Sequence, residues 1–243
     1  MDFLWESRSS LASKPVRKTL NWSAFGEVLP QAVAMALSPI PIVLVILVLV
    51  SPRARVSGPA FAIGWFVGLF ALTSLAFVLA DGAGVGTESD ATDGANLVQL
   101  GLGGLFILFA FKQWQKRPRP GLEPKTPKIV DAIDSMGPLK VLGVGFGSAA
   151  ANPKNIPLGA SAGVAMAQAS AGTGGLATVL GFAFAASSTV IVAVLAVLVL
   201  GERTREPLNE LKTWLLQNAS LIMVIIFILL AAKMIGSGLA LGS

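Results

Sequence analysis

The sequence predicts an all-α integral membrane protein: six transmembrane helices arranged as two inverted three-helix repeats, with helices 1 and 4 broken by proline motifs. Three observations carry this. Apolar stretches of roughly 20 residues, the length that crosses a bilayer, recur without interior charge. The charges gather in the gaps between them. Two proline pairs stand at matching places in the two halves.

Six spans follow, over residues 27–50, 59–80, 97–114, 139–168, 174–200 and 214–235. Backbone crossing lipid must satisfy its own hydrogen bonds, so the spans are helices. They divide the chain into a polar tail (1–25), a first three-helix repeat (26–114), a basic, proline-rich linker (115–138) and a second repeat (139–243). The tail admits a short surface helix over 3–11. The linker reads as stiff and solvated, with an amphipathic turn over 129–136 and a Pro124/Pro127 pair. No secretory signal peptide is evident in the first 25 residues.

Composition narrows the function. Of 243 residues, 54% are hydrophobic and 13% charged, against about 25% charged in soluble domains; the mean hydropathy is +0.75. The chain has no cysteine and no histidine, which excludes thiol redox chemistry and soft-metal sites. No cofactor is expected. The net charge of +5 is explained by loop cations, so nucleic acid is not an expected partner.

The cations give an orientation. Arg53 and Arg55 follow span 1 and are placed to contact lipid headgroups. Lys112, Lys116, Arg117, Arg119, Lys125, Lys128 and Lys140 flank the central gap, and Arg203, Arg205 and Lys212 follow span 5. The loop after span 2 is acidic instead, with Asp81, Glu88, Asp90 and Asp93. The positive-inside rule puts the three basic gaps in the cytoplasm and both termini outside. Arg8, Lys14, Arg17 and Lys18 in the tail pull the other way and are outnumbered.

Span 1 contains Ser38-Pro39-Ile40-Pro41, and span 4 contains Asn152-Pro153-Lys154-Asn155-Ile156-Pro157. Proline removes a backbone donor and clashes one turn back, so paired prolines break a helix. Pro39 lies 12 residues from Glu27 and from Ser51, roughly 18 Å at 1.5 Å per residue. Both breaks therefore fall near the midplane. Broken helices at matching positions of two halves are how inverted-repeat transporters build substrate sites.

Lys154 stands deep within span 4, where a charge costs a few kcal/mol or more. It reads as an anion seat or titrating group in a cavity, or as a cap on the freed carbonyls. Asn152 and Asn155 would cap the second half-helix. Ser187, Ser188 and Thr189 in span 5 either line the same cavity or bond within their helix. Gly64/Gly68, Gly159/Gly163 and Gly143/Gly145/Gly147 read as close-packing surfaces; the small residues of span 4 would also suit a lateral opening.

The stretches Ala36-Leu37-Ser38-Pro39-Ile40-Pro41, Ser51-Pro52-Arg53-Ala54-Arg55 and Gly64-Trp65 resemble the start of the GAP/Sap family, the glycolipid- and sulfolipid-addressing proteins. Ala151-Asn152-Pro153-Lys154-Asn155, Ala186-Ser187-Ser188-Thr189, Gly201-Glu202-Arg203 and Leu211-Lys212-Thr213-Trp214 resemble it further on. The family looks like a branch of the LysE exporter superfamily. The resemblance implies translocation, or assisted export, of a lipid or glycolipid precursor across the cytoplasmic membrane. It puts weight on Pro39, Pro41, Asn152, Pro153 and Lys154. Partners would be the lipid-linked substrate, membrane lipids and a larger lipid-export system, and a homodimer is compatible. Two alternatives stay open: a LysE-type exporter of a small solute such as an amino acid, and a non-transporting scaffold for a larger exporter. An enzyme is not expected, because no nucleophile–base pair lies in the spans. No acid lies deep either, which favours a facilitator over proton coupling.

Overall fold

Prolines set the boundaries of the first broken span. In the computed structural model, which describes residues 22–83, 89–115, 117, 136–170 and 175–239, α1 runs Trp22–Ala36 and α2 runs Pro39–Val50. Ser38 between them is extended (φ −67°, ψ 111°), as the residue before a proline prefers. Pro39 then opens α2 at its first position and Pro41 falls in the same turn, where no intrahelical N–H bond is needed. The two helices meet at 55°.

The second break repeats the device. Helix α5 covers Pro138–Ala150 and α6 covers Asn155–Ser170. Pro153 stands in the gap and Pro157 in the first turn of α6. The remaining helices are α3 (Ala54–Gly82), α4 (Ser89–Gln115), α7 (Gly175–Leu200) and α8 (Arg205–Leu239). No strand occurs among the described residues.

Among these residues, two stretches are long and apolar enough to cross a membrane, Ala54–Gly82 and Gly175–Leu239; the bent pair Trp22–Ala36 and Pro39–Val50 makes a third. Gly175–Leu239 spans 65 residues, roughly 98 Å if straight, and it folds back. A 3₁₀ turn over Gly201–Thr204 reverses it, with Gly201 at φ +58°, where glycine is favoured. Arg205 donates to the Val50 carbonyl at 3.1 Å, and Lys233 bonds the Glu27 carbonyl. Helix α8 thus runs from the end of α2 back to the start of α1.

Helix α8 begins nine residues before the expected span 6. The intervening Glu206, Leu208, Glu210, Leu211 and Lys212 contain no breaker, and Pro207 falls harmlessly in the first turn. The expected loop is a four-residue turn. Helix α1 likewise takes in Trp22–Phe25 of the expected tail. The rest of the tail, the linker features at Pro124, Pro127 and 129–135, and Glu88 lie outside the described residues.

Packing pairs each half with the other. Helix α3 lies along α5, α6 and α7, and α4 lies along α8. The first helix of each broken pair packs on the helix that follows the other pair: α1 on α7, α5 on α3. Glycines allow the closest approach. A Cβ at Gly64 would collide with the Leu142 carbonyl, and one at Gly68 would stand 2.7 Å from that of Phe146. Gly145 of α5 and Gly159 and Gly163 of α6 likewise pack against α3, whereas Gly143 and Gly147 meet nothing within 4 Å. The core behind them includes Phe61, Trp65, Leu69, Phe182 and Val190.

Candidate functional site

Each break frees backbone carbonyls inside an apolar bundle, where an unpaired polar group is costly. At the first break, side chains from the other half satisfy them. Lys154 donates from Nζ to the Ala34 carbonyl at 3.1 Å, and Thr189 on α7 donates from Oγ1 to the Ala36 carbonyl at 2.6 Å. Both bonds end on the last turn of α1. At the second break, fully buried Asn155 donates from Nδ2 to the Ala149 carbonyl at 2.9 Å. The Oδ1 of Asn152 accepts the Lys154 N–H at 3.1 Å, and its carbonyl accepts the N–H groups of Asn155 and Ile156 at 2.9 and 3.2 Å. Asn152 thus starts α6 through a side-chain turn, while Asn155 reaches back to α5 instead of capping α6.

Between the breaks lies a cavity of about 280 Å³. Ser38, Pro39, Ile40 and Pro41 line it from one side, and Asn152, Pro153 and Lys154 from the other. Helix α4 contributes Phe109, Lys112 and Gln113; helix α8 contributes Ala219, Met223 and Phe227. Gln113 is held by a bond from Nε2 to Ser220 Oγ at 3.2 Å.

Chemically, a lysine in a largely apolar wall can accept an anion. An ammonium has three donors, and Ala34 takes one from Lys154. The ion pair found among the described residues, Arg205 with Glu202 at 3.3 Å, lies elsewhere. Lys112, on the same wall, adds a second cation. Lys154 therefore both caps a carbonyl freed at the first break and lines the cavity.

The other expected residues fall outside the wall. Ser187, Ser188 and Thr189 are consecutive, so each points about 100° from the next. Ser187 is buried with no partner for its hydroxyl among the described residues. Ser188 is exposed on the outer face. Thr189 meets α1. Arg53 and Arg55 are exposed where α2 gives way to α3, apart from the cavity.

Three polar residues went unweighed as site residues in the sequence. In the sequence Lys112 reads as loop flank and Gln113 is not singled out, yet with Phe109 they have the i, i+3, i+4 spacing of one helix face. Lys233 was not weighed at all, although a run of apolar residues, Leu221–Ala232 in sequence, precedes it.

A family model described as Sap, sulfolipid-1-addressing protein, matches residues 28–240. No curated protein and no solved structure matches the chain.

Proposed function

The chain belongs to the sulfolipid-1-addressing protein family, and from that membership we propose that it carries the anionic head of a lipid or glycolipid precursor across the cytoplasmic membrane. In this reading the protein is a transporter and not an enzyme. Its six spans form two inverted repeats, with the basic ends cytoplasmic and the termini outside. The reciprocal packing of α1 on α7 and α5 on α3 supports the repeat. Trp114, with Arg117 4.0 Å over its ring, and exposed Trp214 suit an interface belt at the basic end.

One observation carries the reading: helix α8 presents two unlike surfaces side by side. Met223 and Phe227 face the cavity with Lys154. Ile222, Ile225, Ile226 and Leu229 face an apolar groove of about 350 Å³, closed on its far side by Pro30, Val33, Ala34 and Leu37 of α1. Ala34 lines the groove, and its carbonyl takes the bond from Lys154, which lines the cavity. A polar seat beside an apolar groove fits an amphipathic cargo. A small solute would use the cavity and leave the groove without a role.

The test is mass spectrometry of lipids copurifying with the gently solubilised protein, wild type beside Lys154→Gln. Enrichment of one anionic lipid or lipid-linked glycan, lost in the variant, is expected. Bulk membrane lipid, equal in both, would overturn the lipid reading.

A further inference from the structure

The seam between α4 and α8 carries a second opening, a notch of about 410 Å³ at the basic end. Trp114 and Arg117 line it on one side, and Gln217, Ser220 and Leu221 of α8 on the other. Among the described residues it shares no lining residue with the Lys154 cavity. A hydrogen bond joins the two walls: Gln113 of the cavity donates from Nε2 to Ser220 Oγ of the notch at 3.2 Å.

The donors of the notch suit an anion. Arg117 stacks its guanidinium on Trp114, 4.0 Å from the ring centre. Stacking uses the face of the group and leaves its in-plane N–H donors for a bidentate acceptor. No ion pair holds Arg117 among the described residues. Ser220 is only 8% exposed. Its oxygen accepts from Gln113, and its proton has no acceptor among the described residues. Gln217 adds an exposed amide. None of the described residues lining the notch is acidic. The nearest acid along α8, Glu210, precedes Gln217 by seven residues, roughly 10 Å. The last carbonyls of α4 would oppose an anion, but the Arg117 N–H takes that of Trp114 at 3.3 Å.

The surface below the notch says what kind of anion fits. Along α8, Gln217, Asn218 and Ser220 give way to Leu221, Ile225 and Ile228. These three share a face at i, i+4, i+7 and are each more than half exposed. Along α4, Trp114, Phe111 and Ile107 repeat that spacing and that exposure. Tryptophan prefers the headgroup level of a bilayer, so Trp114 sets the notch at the depth of the phosphates. Polar donors with two apolar stripes beneath them match a head with its acyl chains.

We propose that the notch between α4 and α8 holds the phosphate of an anionic membrane phospholipid, with Arg117, Ser220 and Gln217 as donors and the acyl chains along the two stripes. This lipid is a resident and not the cargo. Helix α8 presents Ser220 and Leu221 to the notch, Met223 and Phe227 to the cavity, and Ile222 and Ile226 to the groove against α1. The site therefore stands apart from the lipid-translocation reading. Its phosphate lies one side chain from the cavity, because Ser220 holds the amide of Gln113.

The experiment titrates the full chain in a neutral detergent with phosphatidylglycerol or phosphatidylcholine and follows the retained lipid by native mass spectrometry. A phosphatidylglycerol is expected to stay bound under activation that strips phosphatidylcholine. Arg117→Gln and Ser220→Ala should each weaken its binding about tenfold, the effect of losing one hydrogen bond to a charged group. Arg203→Gln removes another exposed cation at the basic end and should leave it bound, as should Lys154→Gln. Thermal unfolding without added lipid checks that each variant is folded. Equal retention of the two lipids would overturn the site. So would an equal loss in Arg203→Gln, which would mean general attraction to a basic surface, or a loss in Lys154→Gln, which would move the lipid to the cavity. Displacement by inorganic phosphate would make the occupant a soluble anion and overturn the lipid assignment.

Discussion

Lys154 and Ala34 are 120 residues apart in sequence, yet the ammonium of one donates to the carbonyl of the other at 3.1 Å. The bond ties the second helix break to the end of the half-helix at the first. Any movement at one break is therefore felt at the other.

Lys154→Gln is expected to fold, because removing a buried cation also removes its desolvation cost, and the lost bond to Ala34 is worth only about 1–3 kcal/mol. Translocation of an anionic lipid in proteoliposomes should fall at least about tenfold. A wild-type rate in a folded variant would refute the anion seat.

Replacing Pro39 and Pro41 together by alanine should let α1 run on into α2. The 55° bend should shrink, read as a longer distance between spin labels at Leu29 and Leu47, and translocation should drop with it. A straightened helix with full activity would make the break incidental.

Thr189→Val removes the 2.6 Å bond to Ala36 and leaves a buried carbonyl short of a donor. The cost should be about 1–3 kcal/mol, visible as a lower Tm in detergent. Ser188→Ala, one residue away on the exposed face, should change nothing.

Gly64→Ala drives a methyl into the Leu142 carbonyl and should cost about 1–3 kcal/mol by overpacking. Gly143→Ala on the facing helix meets open space and should be neutral or slightly stabilising. Thermal unfolding of the two variants side by side checks the α3–α5 contact.

A chain without cysteine allows clean topology mapping. A single cysteine at Glu88 should react with an impermeant maleimide on intact cells, and one at Arg203 only after permeabilisation. The reverse pattern would invert the orientation.

The helix breaks were legible in the sequence because proline acts locally: it excludes an N–H and restricts its predecessor wherever it stands. Pro39, Pro41, Asn152, Pro153 and Lys154 converge on one cavity as their matching positions suggested. What a side chain faces is set by tertiary packing, and there the reading was weaker. Ser187, Ser188 and Thr189 form one motif in sequence and point three ways in space. Lys112 looked like a loop cation because its apolar run ends there, and the wall it joins is made by α8, more than a hundred residues on. The early start of α8 was hidden because charge was read as loop, although Glu and Lys are good helix formers.

The groove between α1 and α8 opens away from the cavity, along the outer face of the bundle where Val33, Ile225 and Leu229 are exposed. Under the lipid-translocation proposal, acyl chains lying there would stay outside the protein. The cavity, just below the roughly 300–1,000 Å³ of small-molecule sites, would then inspect the head alone. Cargoes that differ in tail length or branching should compete on equal terms, while a change of one charged group on the head decides passage.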